Sequence, residues 1–168
     1  MTPAFHLAQI NVGRILGAMD SAIMAGFVAQ LAEINALAEA TPGFVWRLKT
    51  EDGDATAIRP YDDERVIVNM SVWESAEALH GYVYQSAHVE VMRRRREWFA
   101  RMTESFMALW WVPAGHHPSV AEAVARLEML RAEGPTPAVF TFRQRFPAPD
   151  AALDATNRPA LAGECPAL

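Results

Sequence analysis

Between Arg65 and Trp73 (RVIVNMSVW), Val66, Val68, Met70 and Val72 alternate with Ile67, Asn69, Ser71 and Trp73. That length and β-branched content predict a strand, the clearest in the chain. Phe5 to Val12 (FHLAQINV), ended by Gly13, predicts one before it, and Phe44 to Lys49 and Phe106 to Val112 (FMALWWV) predict two more. From Ser21 to Ala40 the period changes: Ile23, Phe27, Leu31, Ile34 and Leu37, with Ala38, recur at helical spacing. Asp20 or Ser21 is the expected N-cap, and Thr41-Pro42-Gly43 stops the helix. A long helical region is expected over Ser75 to Met102, interrupted near Gln85-Ser86, where Ser86 caps a second segment. Ser119 to Glu133 predicts a third amphipathic helix, with Val120, Val124, Leu127 and Leu130 on one stripe. Turn residues at Glu51 to Asp54, a polar loop at Arg59 to Glu64 and an edge strand at Val139 to Phe146 complete the pattern. From Pro147 onward the sequence is rich in Ala and Pro without a period, so a domain over 1–146 and a tail over 147–168 are expected.

The order β-α-β-β-α-β is that of an α+β, ferredoxin-like fold, an antiparallel sheet with helices on one face, here followed by an extra C-terminal helix and short strand. Two helices cover only one face of such a sheet. The other carries Trp and Phe, and a second copy of the chain is the expected cover, giving a homodimer.

Composition narrows the function. The chain has 168 residues, 15 Lys plus Arg and 20 Asp plus Glu, a formal charge of −5. That balance speaks against a nucleic-acid partner, which draws a basic excess. The single cysteine, Cys165, excludes an internal disulfide framework, and no Cys/His spacing suits structural zinc. The N-terminal residues lack the features of a secretory signal, and no apolar stretch approaches the roughly 18 residues of a membrane span, so a cytoplasmic location with no membrane partner is expected. Phosphate loops, a nucleophile elbow and an HExxH motif are absent.

A few residues carry candidate chemistry. His88 falls in the first turn of the helix that Ser86 caps, where the macrodipole favours a neutral ring, the form required of a general base or metal ligand. Helical spacing puts Val91, Met92 and Arg95 on its face; the plain alternative is a core histidine bonded to backbone. Asn11 and Asn69 interrupt otherwise apolar strands. A buried amide without partners costs roughly 1–3 kcal/mol, so each must bond a ligand, a loop or a partner. Trp73, Tyr84 and Trp110 suit the walls of a site for a flat conjugated molecule, and equally suit a core. Trp110 and Trp111, adjacent in a strand, must point to opposite faces. Within Arg93-Arg94-Arg95-Arg96, Arg95 is the one aimed at an anionic group, while the rest pair with Glu90 and Glu97 or face solvent. His116-His117 reads as a surface loop.

The motifs Phe5-His6-Leu7-Ala8-Gln9-Ile10-Asn11, Asn69-Met70-Ser71-Val72-Trp73-Glu74-Ser75, Ser86-Ala87-His88 and Leu109-Trp110-Trp111-Val112-Pro113 resemble those of the DUF3291 family. That family is similar to the dimeric α/β-barrel superfamily of antibiotic-biosynthesis, quinol and haem-degrading monooxygenases. The resemblance covers about residues 4 to 146. It implies a dimeric barrel and a small-molecule enzyme acting on an aromatic or polycyclic substrate, with His88 as base or ligand, Asn11 as oxyanion-type donor and no required cofactor. The haem-degrading branch implies a second reading, a haem-binding protein with His88 as axial ligand, Asn11 matching its strand Asn and Arg95 near a propionate. The helix Trp of that branch has no counterpart here, where Ala78 stands. A third reading is a protein that binds a metabolite without turning it over.

Overall fold

The computed structural model describes residues 3–149. Strands β1 (Phe5–Arg14), β2 (Phe44–Arg47), β3 (Val66–Trp73) and β4 (Met107–Pro113) form one antiparallel sheet in the order β2-β3-β1-β4. Helix α1 (Ala25–Ala40) joins β1 to β2, and α2 (Ala76–Gln85) with α3 (His88–Arg93) joins β3 to β4. A fourth helix, α4 (Val120–Glu133), follows. The fold is α+β and ferredoxin-like, as the element order predicts.

Alternation sorts the sheet into two faces, and the register locks their phase. Gln9 lies opposite Ser71, Asn11 opposite Asn69 and Leu7 opposite both Trp73 and Trp111. The face bearing these residues looks toward α1, α2 and α3. The other face carries Ala8, Ile10, Val12, Val68, Met70 and Trp110, packed against Ala123, Leu127 and Leu130 of α4. Leu48, Ile58 and Tyr61, from the end of β2 and the loop after it, extend the cover. Tyr61 donates to Glu128 at 2.6 Å, and Arg131 donates to the same carboxylate oxygen at 2.8 Å, which fastens that loop to α4. Burial and the Glu128 hydrogen bond push the Tyr61 phenol up to about 12.

This arrangement removes the premise on which a homodimer was expected. The apolar face is not bare: Ile10, Val12 and Trp110 are wholly buried within one chain. Helix α4 stands where a second copy was needed.

Other departures have local causes. Helix α1 begins four residues later than predicted, because the Ser21 hydroxyl donates to the Ala18 carbonyl and forms a turn, and neither Asp20 nor Ser21 caps the helix. Met24 at its start is buried, whereas Ile23 is exposed. The helical region after Ser75 breaks at Ser86, whose backbone is extended. It ends in a single 3-10 turn at Arg95–Glu97, because the next residues pair with the end of β1: Phe99 bridges Ile15, and Leu16 N–H donates to the Trp98 carbonyl at 2.8 Å. The predicted strand at Val139 to Phe146 reduces to isolated bridges, the one to the sheet pairing Phe140 with Leu109 at the β4 edge. The predicted tail, from 150 on, lies outside the described residues.

Candidate functional site

Helix α1 does not press flat on the sheet. Its stripe of Phe27, Leu31, Ile34 and Ala38 instead lines an open cavity of about 690 Å³ between α1, α2, α3 and the sheet. This volume falls in the range of small-molecule sites.

The floor comes from two alternate rungs of the β1–β3 ladder, Gln9 with Ser71 and Asn11 with Asn69. Gln9 is buried, and its amide nitrogen donates to Asn69 Oδ1 at 2.6 Å and to Ser71 Oγ at 3.0 Å. Trp73, fully buried at the end of the floor, donates Nε1–H to the same Ser71 Oγ at 2.8 Å. An indole nitrogen only donates. Ser71 Oγ therefore accepts twice, and its own hydroxyl hydrogen is left for a third partner. The Asn69 side chain is open to the cavity, with its amide N–H groups uncommitted. At the next rung Gly13 leaves room for Phe99: a Cβ placed there would lie 2.7 Å from the Phe99 ring.

His88 stands on the wall, at the first position of α3. Ser86 Oγ accepts from the His88 backbone N–H at 3.2 Å and itself donates to the Tyr82 carbonyl, so the predicted capping serine does hold this turn. The imidazole Nδ1 lies 3.3 Å from the Val83 carbonyl. A carbonyl can only accept, so Nδ1 carries the hydrogen and the Nε2 lone pair is free. Burial holds the ring's pKa below its ordinary value, outweighing the Val83 hydrogen bond. The neutral state expected from the sequence is thus present, but burial produces it rather than the dipole of a six-residue helix. Tyr82 packs between Trp73 and His88, with ring centroids 5.2 and 4.9 Å away. Its hydroxyl donates to the Ile34 carbonyl at 3.3 Å, tying α2 to α1, and burial pushes its pKa up to about 12.

Arg95 lines the same cavity beyond Val91 and Met92. Its guanidinium sits over Phe99 and Phe106, 5.2 and 4.5 Å from their centroids, and donates to the Val12 carbonyl at 3.4 Å. Its neighbours behave as expected: Arg93 pairs with Glu90 and Arg94 with Glu97, both on the surface. Tyr84 is half exposed at the rim, against His80 and Phe142.

The structure therefore brings together His88, Asn11, Asn69, Trp73, Tyr84 and Arg95. Trp110 is a correction. Its side chain is buried on the opposite face, under α4, with Nε1–H donating to Glu122 at 3.3 Å. Its neighbour Trp111 has the cavity-side phase but packs with Phe140 and donates to the Phe146 carbonyl at 2.9 Å. Sequence reasoning passed over Gln9, Ser71 and Tyr82 as site residues. The signal for the first two was their phase, since Gln9 shares a strand face with Asn11 and Ser71 with Asn69. His116 bonds Glu122 and His117 stacks on Trp46, as befits a surface loop. Among the described residues no group of three or more His, Cys, Asp and Glu is placed to hold a metal ion, and no helix is long and apolar enough to cross a membrane.

The profile of the family described as Domain of unknown function (DUF3291) matches residues 6–156. The chain belongs to that family. No curated protein matches it. Among solved structures, SnoaB from Streptomyces nogalater, a cofactor-independent oxygenase in mutant form, is similar at 18% identity, with 67% of this chain and 95% of that chain covered and a TM-score of 0.45. A putative antibiotic biosynthesis monooxygenase from Chloroflexus aurantiacus is similar at 16% identity, with 69% and 99% covered and a TM-score of 0.42. A protein of unknown function from Nitrosomonas europaea gives 12% identity, 69% and 97% covered and a TM-score of 0.44.

Proposed function

We propose that this DUF3291 chain is a monooxygenase-like, small-molecule enzyme that binds an aromatic or polycyclic substrate in the cavity and uses His88 as general base. One observation carries the reading: a neutral imidazole with a free Nε2 lone pair lines the same cavity as a floor of uncommitted amide and hydroxyl hydrogens. The imidazole takes a proton from an acidic phenol or ring CH₂ group. Asn11, Asn69 and Ser71 donate hydrogen bonds to the oxygen on which negative charge develops. Phe27, Leu31 and Tyr82 give the cavity apolar and aromatic walls that fit a conjugated ring system. The resulting anion is electron-rich enough to reduce O₂ itself. For a ring CH₂ group the balance is one O₂ consumed, one C=O formed and one water released, so no redox group need come from the protein.

The haem reading draws on the free Nε2 of His88 as an axial ligand and on Arg95, in the same cavity, as a partner for a propionate. The hydrogen-bonding floor suits an oxygenated ligand better than a porphyrin face. Anthrone is the test substrate, followed by O₂ uptake and product absorbance. His88→Ala is expected to lower turnover about a hundredfold or more. Unchanged uptake in the variant overturns the assignment of the base. Tight anthrone binding without turnover leaves a metabolite-binding protein, and a Soret band on adding haemin that His88→Ala abolishes establishes the haem reading instead.

A further inference from the structure

Arg95 is a cation turned inward without a counter-ion. Among the described residues no carboxylate pairs with it; its guanidinium has the Val12 carbonyl and the faces of two phenylalanines. The other charged groups lining the cavity are engaged or peripheral. Arg47 is held by Glu39 at 2.8 Å, the Asp54 carboxylate accepts from the Thr56 amide and hydroxyl, and Arg143 is exposed at the rim. Burial lowers the Arg95 pKa, the mark of a charge with too little compensation. Removing a charge from water without a partner is costly, and such a residue persists where something else completes it.

We propose that the substrate is an aromatic monocarboxylate, held with its carboxylate on Arg95 and its ionisable ring group toward His88. Seven residues of helical and 3-10 chain separate the two, roughly 11 Å along the axis. The cavity of about 690 Å³ lined by both residues has room for a ligand of more than one ring. A planar guanidinium matches a carboxylate with two parallel hydrogen bonds. Only one interior cation is uncommitted among the described residues, and Asp54 also faces the cavity, so a monoanion is favoured over a phosphate dianion. The inference rests on the reading of the cavity as an aromatic-substrate site, and it adds the charge and orientation of that substrate.

A hydroxynaphthoate and its primary carboxamide are the probes, followed by quenching of the cavity tryptophans, Trp73 and Trp98. The wild-type chain is expected to bind the acid about tenfold or more tightly than the amide. Arg95→Met, which keeps the stem over Phe99 and Phe106, is expected to abolish that preference, and Arg95→Lys to retain part of it. Equal binding of acid and amide by the wild type overturns the proposal, as does a preference that survives in Arg95→Met, or failure of both probes to bind. The acid-to-amide comparison needs only the wild-type chain, so a misfolded variant does not rescue the idea. A preserved preference with no turnover of anthrone sinks the catalytic reading and leaves this one standing. Turnover without the preference does the reverse.

Discussion

Ser71 Oγ takes hydrogens from Trp73 and Gln9, and the direction of its own proton follows. Nothing local in the sequence announces this, because a serine in an apolar strand bonds backbone as readily as a ligand. It becomes legible only through the register that sets Gln9 opposite Ser71. The same limit explains the pair Trp110 and Trp111: alternation fixes that they diverge, but which one faces the cavity depends on pairing with β1. His88 was within reach, since Ser86 and the apolar residues after it place the ring by spacing alone. Its burial has a measurable sign. The unfolded chain takes a proton on His88 near pH 6.5, whereas the folded ring resists until lower pH, so this residue costs stability as pH falls below about 6.5 and nothing above it. In urea titrations, His88→Gln is expected to lose less stability than the wild type between about pH 7.5 and pH 5.5. Identical pH dependence in the two proteins counts against a buried, neutral ring.

At the scale of elements, the four strands of the sheet were readable to within about two residues, because buried strands leave runs of apolar side chains, whereas the strand expected at Val139 to Phe146 is only isolated bridges. Helix ends were harder. Ser119 caps its helix, and so does Ser75, read from the sequence as the first helical residue; they accept from Glu122 and Ala78 backbone N–H groups at 3.1 Å each. Ser21 has the same chemistry but spends its hydroxyl on Ala18. The long helix after Ser75 could not be drawn correctly from periodicity, since its end is dictated by Trp98 and Phe99 joining a strand eighty-odd residues earlier in sequence. Helix α4 was visible, but its place was not. Two variants weigh that place: Ser119→Ala is expected to cost about 1 kcal/mol by loss of the cap, and Leu127→Ala, which empties a fully buried site, about 2–5 kcal/mol. Denaturant unfolding reads both, and a Leu127→Ala loss no larger than that of Ser119→Ala would mean α4 is not seated on the sheet.

For the molecule as a whole, the ferredoxin-like order followed from the sequence, whereas the cover of the second face did not, because no local pattern says which surface an appended helix will choose. Breaking the cover exposes what it hides. Leu127→Asp is expected to raise the sedimentation coefficient with concentration relative to the wild type, as uncovered sheet faces meet; unchanged hydrodynamics in a folded variant would show that α4 is dispensable there. The chain after α4 has a further effect. Val139 belongs to the packing beneath that helix, Phe140 to the packing on the cavity side, and between them the backbone crosses the rim of β4, where Phe140 exchanges both amide hydrogen bonds with Leu109. A few residues later Phe142 reaches the cavity entrance. This hem over the outermost strand occupies the rung at which another chain would begin to lengthen the sheet. A deletion between Ala138 and Phe142 would unpick three seams together, loosening the helix, opening the doorway and inviting strangers onto the exposed border.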